Sequence, residues 1–421
     1  MANALVIADD YTGAMDTGYG FAAGGRSVRV LLRGPETGEL ERQATAAVDV
    51  LTIDANTRSV APETAGATVS GLLADECPVV YKKIDSTLRG NVVAEVDAAI
   101  DAIGADLAVA VPAFPSTGRV TANGRHLVDG VPLAEAGYGS STTDLAAYFD
   151  DSRYRVTSLG IEAVVEGAES VESALETRRG TEPAVVTCDA VHDRHLEAIA
   201  AGAESLEATV LFVGSGGLAS AVSVPGEAGP RRSPEPRGGG ALAVVGSVND
   251  RTLEQLAAVS DDLVHRIDPA EAVRDPERAG RRAATTLADQ IVTDGRAVVT
   301  GATDATDVER ADEAAAELGD DVDTGDRIAT ALAVAAAETG ERTTLAGLFL
   351  TGGSVARAVL DSLSATAIDL TGGAVGDGIP EGYVVDGSAA GARVVTKAGG
   401  FGSPRSIVNY LNFIETDDAR D

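Results

Sequence analysis

The chain has 421 residues, a formal net charge of -32 and a sequence pI of about 4.4. Such a charge excludes nucleic acid and anionic membranes as partners, because both repel an acidic surface. The length exceeds what one hydrophobic core supports, so two domains are expected; with 44% hydrophobic residues, only 4% aromatics and no Trp, their cores must be built from Ala, Val, Leu and Ile.

In chain order, ALVIA (4–8) reads as a strand that runs into the Asp9-Asp10 pair of ADDYTGAMDTG (8–18). In open α/β sheets ligands bind at the carboxyl ends of strands. An Asp there can take a hydroxyl proton, bind a polyol or hold Mg²⁺, or can simply cap the helix that follows. VRVLL (28–32) and AVDVLTID (47–54) are the next strands, and the second ends in IDANTRS (53–59), where Arg58 could clamp a carboxylate. A helix is expected over 62–75. The strand VVYKKID (79–85) then opens YKKIDSTLRGN (81–91). Alternation puts Lys83 and Asp85 on one strand face and Lys82 on the other. Ser86 and Thr87 are expected to cap the next helix (92–104), and Lys82, Lys83, Asp85, Ser86, Thr87, Arg89 and Asn91 in one strand-to-helix junction suit a carboxylate or polyol.

After the strand LAVAVPA (107–113), the segment VPAFPSTGRVTANGRHLVDGVPL (111–133) reads as a long shaped loop. His126 in it is a candidate base, although a lone His reads first as a structural hydrogen-bonding residue. AVVTC (184–188) and TVLFVG (209–214) complete the strands of the first half. HDRH (192–195) lacks a third metal ligand and reads as a solvated face. LFVGSGGLASAV (211–222) has a GxGGxA turn without the acid that reads a ribose, so tight packing competes with a dinucleotide site.

PGEAGPRRSPEPRGGG (225–240) lacks apolar periodicity and reads as a linker, dividing 1–225 from 241–421 with 226–240 between them. The second half repeats the alternation of strands (241–247, 264–267, 297–301, 348–352, 383–387, 393–399) and helices (250–260, 277–292, 326–338). The expected fold is therefore α/β: two domains, each a mostly parallel sheet flanked by helices, with ligands in the cleft between them. Three strands end in small residues, at VVGSVNDRT (244–252), LTGGSVARAV (350–359) and VTKAGGFGSP (395–404). Such turns let backbone N–H groups approach phosphate oxygens, and Lys397 could add full charge. A Walker A motif is absent, so this is not a P-loop NTPase.

Only three of the 33 basic residues are lysines (Lys82, Lys83 and Lys397), and all three lie in these motifs. Asp and Glu are dispersed along the chain, and Arg replaces Lys elsewhere. The composition resembles that of haloarchaeal cytosolic proteins, which work where screening falls to about 3 Å; high salt is expected to be needed for folding. Cys77 and Cys188 have no metal-ligand spacing and read as buried free thiols. MANALVIADD is no signal peptide and no run spans a membrane, so the expected location is cytoplasmic.

The ordered set ADDYTGAMD, KIDSTLRGN, PAFPSTGR, GSGGLA, TGGS and VTKAGGFG resembles the four-carbon acid sugar kinase family, the D-threonate, D-erythronate and 3-oxo-tetronate kinases. The resemblance implies a sugar-acid-binding N-terminal domain and an ATP-binding C-terminal domain. It implies sugar-acid contacts from Asp9, Asp10, Arg58, Lys83, Asp85, Ser86 and Arg89, with Asp10 or Asp85 orienting or deprotonating the hydroxyl. It implies ATP contacts from Ser247, Gly352, Gly353, Ser354, Val355 and Gly399; Lys397 joins them from its place in the glycine motif, and Mg²⁺, whose ligands are unassigned, is expected with ATP. The expected partners are a small sugar acid and ATP, with a homodimer left open. An NAD(P)-dependent sugar-acid dehydrogenase and a non-catalytic sugar-acid sensor are the alternatives.

Overall fold

The computed structural model describes residues 2–32, 48–73, 77–230, 237–319, 322–376 and 379–418. The chain divides into two compact units, Met1–Arg231 and Arg232–Asp421.

The first unit carries β1 (Ala4–Ala8), β2 (Val28–Leu31), β3 (Val50–Asp54), β4 (Val79–Lys83) and β5 (Leu107–Val111). It continues with β6 (Arg119–Ala122), β7 (Arg125–Val128), β8 (Val131–Pro132), β9 (Arg155–Leu159), β10 (Ala184–Cys188) and β11 (Val210–Gly214). Its main sheet runs β2-β3-β1-β4-β11-β5-β10-β9, and every pairing in it is parallel. The central strands are short β-branched and apolar runs buried along their whole length, as a sheet covered on both faces demands. The chain passes from β1 to β2, returns through β3, and only then places β4 on the other side of β1. The order therefore reverses between β1 and β4.

The second unit carries β12 (Gly240–Val245), β13 (Val264–Arg266), β14 (Arg296–Thr300), β15 (Leu345–Thr351), β16 (Ala367–Gly376), β17 (Ile379–Val384) and β18 (Arg393–Lys397). Its order is β13-β14-β12-β15-β18-β17-β16, parallel from β13 to β18 and antiparallel through β17 and β16. The start repeats the first unit: β12, β13, β14 and β15 are laid down in the order of β1, β2, β3 and β4. The reversal here falls between β12 and β15.

Part of the acid excess has a local use. Asp10, Asp144, Asp268, Asp275, Asp304 and Asp323 each cap a helix by accepting a backbone N–H of its first turn.

Two expectations need correction. The long loop expected over 111–133 is largely a β6-β7-β8 antiparallel sheet, turned at Asn123-Gly124 and Asp129-Gly130, where all four residues have positive φ. Its hydrogen bonds are thus satisfied internally. The face expected to be solvated around HDRH is mixed: His192 is exposed and caps helix Asp193–Glu204, whereas His195 is buried. Among the described residues, the expected linker is docked at both ends. Gly229 N–H donates to Asp49, Arg26 donates to the Gly226 carbonyl, and Arg237 donates to the Ser388 and Ala390 carbonyls. Residues 231–236 of that stretch lie outside the described residues.

Candidate active site

In the first unit the predicted residues gather at the carboxyl ends of three neighbouring strands, β3, β1 and β4, beside the reversal between β1 and β4. Asp9 is buried and Asp10 opens helix Tyr11–Ala23, its Oδ1 accepting Gly13 N–H at 2.7 Å. Arg58 is held between them, Nε donating to Asp9 Oδ2 at 2.7 Å and Nη1 to Asp10 Oδ2 at 2.5 Å. One Asp of the pair therefore does cap the helix, and both also anchor the arginine. Asp9 Oδ1 is buried and has no donor among the described residues.

Asp85 lies two residues beyond Lys83. Thr87 Oγ1 donates to it at 2.6 Å, and Arg89 Nε and Nη2 donate to it at 2.5 and 3.2 Å. Arg89 also covers the ring of Tyr138 at 5.7 Å. Ser86 and Thr87 do not cap the following helix. It begins at Val92 behind Asn91, because Leu88 and Gly90 both take positive φ and carry the chain away from helical geometry. Asn91 uses its amide on the Thr57 and Val60 carbonyls instead, which ties the Arg58 turn in place.

The two adjacent lysines have different fates, as strand alternation requires. Lys82 Nζ forms a fully buried ion pair with Glu95 at 2.9 Å and donates to the Lys83 carbonyl at 2.7 Å; Thr57 Oγ1 donates to the other Glu95 oxygen. Lys83 is also buried, and its Nζ lies beside Gly13, where a Cβ would be 2.9 Å from it. Among the described residues no carboxylate lies within ion-pair distance of Lys83.

The carboxylates differ electrically. Burial, and then the neighbouring Asp9 charge, raise Asp10 above its ordinary value. Burial also works to raise Asp85, but the Arg89 hydrogen bond and the Arg58 and Arg89 charges outweigh it and hold Asp85 well below the usual carboxylate range. Asp16, which motif reading left unassigned, also faces this site. Burial raises it and the Lys83 charge opposes that shift. Its helical position two turns along from Asp9 was the only signal.

His126 is not a free base. One ring nitrogen, Nε2, is 2.7 Å from the Ser86 carbonyl, and Nδ1 is 2.9 Å from Thr121 Oγ1. The carbonyl requires Nε2–H, so Nδ1 accepts from the hydroxyl, and burial keeps the ring neutral. The GxGGxA turn is filled by protein. A Cβ on Gly214 would sit 2.7 Å from Tyr81 Oη, one on Gly216 2.2 Å from Asp16 Oδ2, and one on Gly217 3.0 Å from the Ala113 carbonyl. Close packing explains these glycines and leaves no room there for the pyrophosphate that the dehydrogenase reading requires.

In the second unit three turns converge beyond β12, β15 and β18, at the reversal between β12 and β15. A Cβ on Gly352 (φ +92) would lie 3.4 Å from the Gly246 carbonyl carbon and from Ser247 N. A Cβ on Gly399 would lie 2.2 Å from Ser247 Oγ. Gly352 is the N-cap of helix Gly353–Ser362, whose first residues Gly353 and Ser354 are exposed, while Val355 is buried against Gly246. Lys397 departs from expectation. It is buried, and its Nζ donates to Thr252 Oγ1, the Ala398 carbonyl and the Gly399 carbonyl at 2.9–3.1 Å. All three ammonium protons are committed, so it clamps the turn rather than offering free charge. Burial lowers it to about 8. Gln255 secures the same turn through the Phe401 and Ser403 carbonyls.

Beside Ser247 lies a cavity of about 230 Å³ that sequence reading missed. Its walls come from the ends of β12 and β14 and from helices Ala305–Leu318 and Thr324–Arg342. Among the described residues no group of three or more His, Cys, Asp or Glu could hold a metal, and no helix is long and apolar enough to cross a membrane.

Residues 4–222 match the model of a sugar-binding N-terminal domain and residues 242–407 that of a nucleotide-binding C-terminal domain. The chain thus belongs to the proteins built from that pair of domains. It is 32% identical to D-threonate kinase of Salmonella typhimurium over 98% of both chains, and 30% identical to D-erythronate kinase of Heliobacterium modesticaldum over 99% of this chain and 98% of that one. Within the two-domain class it is a member of the four-carbon acid sugar kinase family. A solved Salmonella typhimurium structure shares the fold with a TM-score of 0.81 at 21% identity, covering 98% of this chain and 100% of that one.

Proposed function

We propose that this chain transfers the terminal phosphoryl group of ATP to the terminal hydroxyl of a four-carbon sugar acid of threonate, erythronate or 3-oxo-tetronate type. The N-terminal unit (1–225) takes the acid and the C-terminal unit (241–421) takes ATP. The observation that carries this reading is the gathering of Arg58, Lys83 and Arg89 with Asp9, Asp10 and Asp85 at three adjacent strand ends. In a chain of net charge -32, a site where three cations balance three carboxylates and the Lys83 ammonium has no ion-pair partner among the described residues suits a small anion that must be bound at short range.

Lys83 meets the substrate carboxylate, since Arg58 and Arg89 are already paired with aspartates. Those arginines and the Ser86 hydroxyl orient the polyol, and Asp85 fixes Arg89. Asp10, whose proton affinity is raised and which stands at the end of β1 beside Lys83 and Arg58, accepts the proton of the attacking hydroxyl. The glycine turns at Ser247, Gly352–Val355 and Gly399 fit a triphosphate, because their bare Cα atoms let backbone N–H groups close around it. Mg²⁺ fits as an ion held chiefly by phosphate oxygens and water, the mode expected where protein carboxylates are few. It would supply charge neutralisation; the protein supplies position and electrostatic complement.

The test is an ADP-release screen of four-carbon acids in molar KCl. ADP should appear with one of these acids. Binding of the acid without ADP release would instead establish the sensor, and reduction of a nicotinamide cofactor the dehydrogenase.

Two outcomes follow. The kcat/KM for the acid should fall as pH drops through the elevated Asp10 value, because only the carboxylate form accepts a proton; a pH–rate profile would show this limb above the ordinary value of 3.8. Gly399→Ala should displace Ser247 and raise KM for ATP by about tenfold, a loss of roughly 1.4 kcal/mol, with KM for the acid unchanged in steady-state kinetics.

A further inference from the structure

The stretch that follows β4, residues 85–91, carries Asp85, Ser86 and Arg89 but does not hold its own shape. Leu88 sits in the left-handed region (φ 57), which is costly for a residue with a Cβ, and Gly90 (φ 90) lies there too. Such a backbone persists only where its surroundings impose it. Leu88 N–H donates to the Asp85 carbonyl at 2.9 Å, which closes the turn locally. Its outward carbonyls are held from elsewhere in the unit.

Two side chains hold them. His126 Nε2–H donates to the Ser86 carbonyl at 2.7 Å, and the Tyr148 hydroxyl donates to the Leu88 carbonyl at 2.7 Å. Burial keeps the imidazole neutral and pushes the Tyr148 hydroxyl up to about 12, so both remain donors at neutral pH. They belong to one piece of structure. His126 lies in β7, and Tyr148 ends helix Leu145–Tyr148. His126 N–H donates to the Thr143 carbonyl and Leu145 N–H to the Gly124 carbonyl, both at 2.8 Å, so this helix is laced to the hairpin. The hairpin is anchored in turn by buried Asp189, just beyond β10, which accepts Asn123 N–H at 2.8 Å and Gly124 N–H at 2.9 Å. Thr121 and Ala190 exchange two backbone hydrogen bonds at 2.9 Å beside it. The result is a bracket fixed at the end of β10 and closed on the loop after β4. The Arg89 contact with Tyr138 comes from the segment that joins β8 to the same helix.

We infer that His126 and Tyr148 are positioning residues for the sugar acid: through the Ser86 and Leu88 carbonyls they set the loop that presents the Ser86 hydroxyl and the Arg89 guanidinium. The inference rests on the sugar-acid role of the N-terminal unit. The Ser86 hydroxyl has no partner among the described residues, so its aim follows from the peptide that His126 holds. Arg89 directly follows the residue that Tyr148 holds, and its guanidinium is shared between Asp85 and the Tyr138 ring.

The test combines calorimetric titration of the full chain in molar KCl, with D-threonate, D-erythronate and separately ADP, and amide hydrogen exchange over residues 85–91. Tyr148→Phe removes only a hydroxyl and keeps the ring against Phe149, where the centroids are 5.6 Å apart. It should weaken the acid about fivefold, the worth of one hydrogen bond, leave ADP unchanged, and speed exchange of the Leu88 amide. His126→Leu should weaken the acid about tenfold, because it leaves a buried carbonyl unpaired. His126→Gln keeps an N–H that can reach that carbonyl and should restore most of the loss; leucine supplies the bulk without the donor, so this rescue separates the hydrogen bond from packing. Unchanged acid affinity in folded Tyr148→Phe overturns the inference, as does an equal loss of acid and ADP, or faster exchange over 85–91 with acid affinity kept. Tyr148→Phe decides if the His126 variants fail to fold. A wild-type chain that binds ADP but neither acid would instead bring down the sugar-acid role of the unit, and this inference with it.

Discussion

Asp10→Asn is expected to lower kcat by about 10²- to 10⁴-fold, the range for loss of a positioned general base, while the protein stays folded. The amide oxygen can still accept Gly13 N–H, and Asn caps helices about as well as Asp. Asp9 continues to hold Arg58. Lys83, Ser86 and Arg89 are untouched, so the sugar acid should bind with near wild-type affinity in a calorimetric titration. The acid limb of the pH–rate profile should vanish with the carboxylate. A variant that kept a tenth of its kcat would transfer the role of base elsewhere. Asp85→Asn is expected to act differently. Arg89 and Arg58 hold its carboxylate below the usual range, and it anchors Arg89 and Thr87, so its loss should appear mainly as a higher KM for the acid.

Lys82→Met is expected to destabilise the first unit by about 3–5 kcal/mol, the cost of leaving one partner of a buried ion pair alone. Lys82 and Glu95 are each only 1% exposed, so Glu95 would have to be protonated or draw in water. The damage should also reach the active site. Glu95 holds Thr57, and Thr57 immediately precedes Arg58. Denaturant unfolding in KCl should show the loss, and Lys82→Met/Glu95→Leu should recover much of it, because no uncompensated charge remains. A double variant as unstable as the single one would mean that packing, rather than charge, dominates there.

Much of this was legible in the sequence. Short runs such as ALVIA, AVVTC and TVLFVG are apolar on both faces and could only be central strands; they are β1, β10 and β11. Strand alternation separated Lys82 from Lys83. What escaped prediction depended on tertiary closure. The hairpins of 119–132 are half-exposed and turn at Asn-Gly and Asp-Gly, so their period was too short to outweigh a loop rich in Gly and Pro. Strand β9 lies at the sheet edge and carries polar residues at exposed positions, and β16 runs into the glycines of LTGGAVG, so neither has the apolar run of a central strand. The direction of Lys397 was not legible, because a Gly-flanked lysine reads alike whether it points at a ligand or back at its own turn. The cavity beside Ser247 has no motif, since its wall is largely valine, alanine and isoleucine that any helix can carry.

The repeated order of β1–β4 and β12–β15 explains why both clusters of site residues arose where they did. In each unit the first and fourth strands diverge at the reversal, and their carboxyl ends leave space that neighbouring loops can line. The two units share this device without sharing a sequence motif.

All three lysines are buried, at 1%, 4% and 3% exposure for Lys82, Lys83 and Lys397. The folded surface therefore offers an acylating reagent little ε-amine. Modification of each lysine becomes a clock for a separate opening event: at the Lys82–Glu95 ion pair, at the carboxyl ends of β1 and β4, and at the turn after β18. A chain that evolved away from surface lysine has in effect labelled its own interior, so the protection a substrate or nucleotide confers could be read one amine at a time.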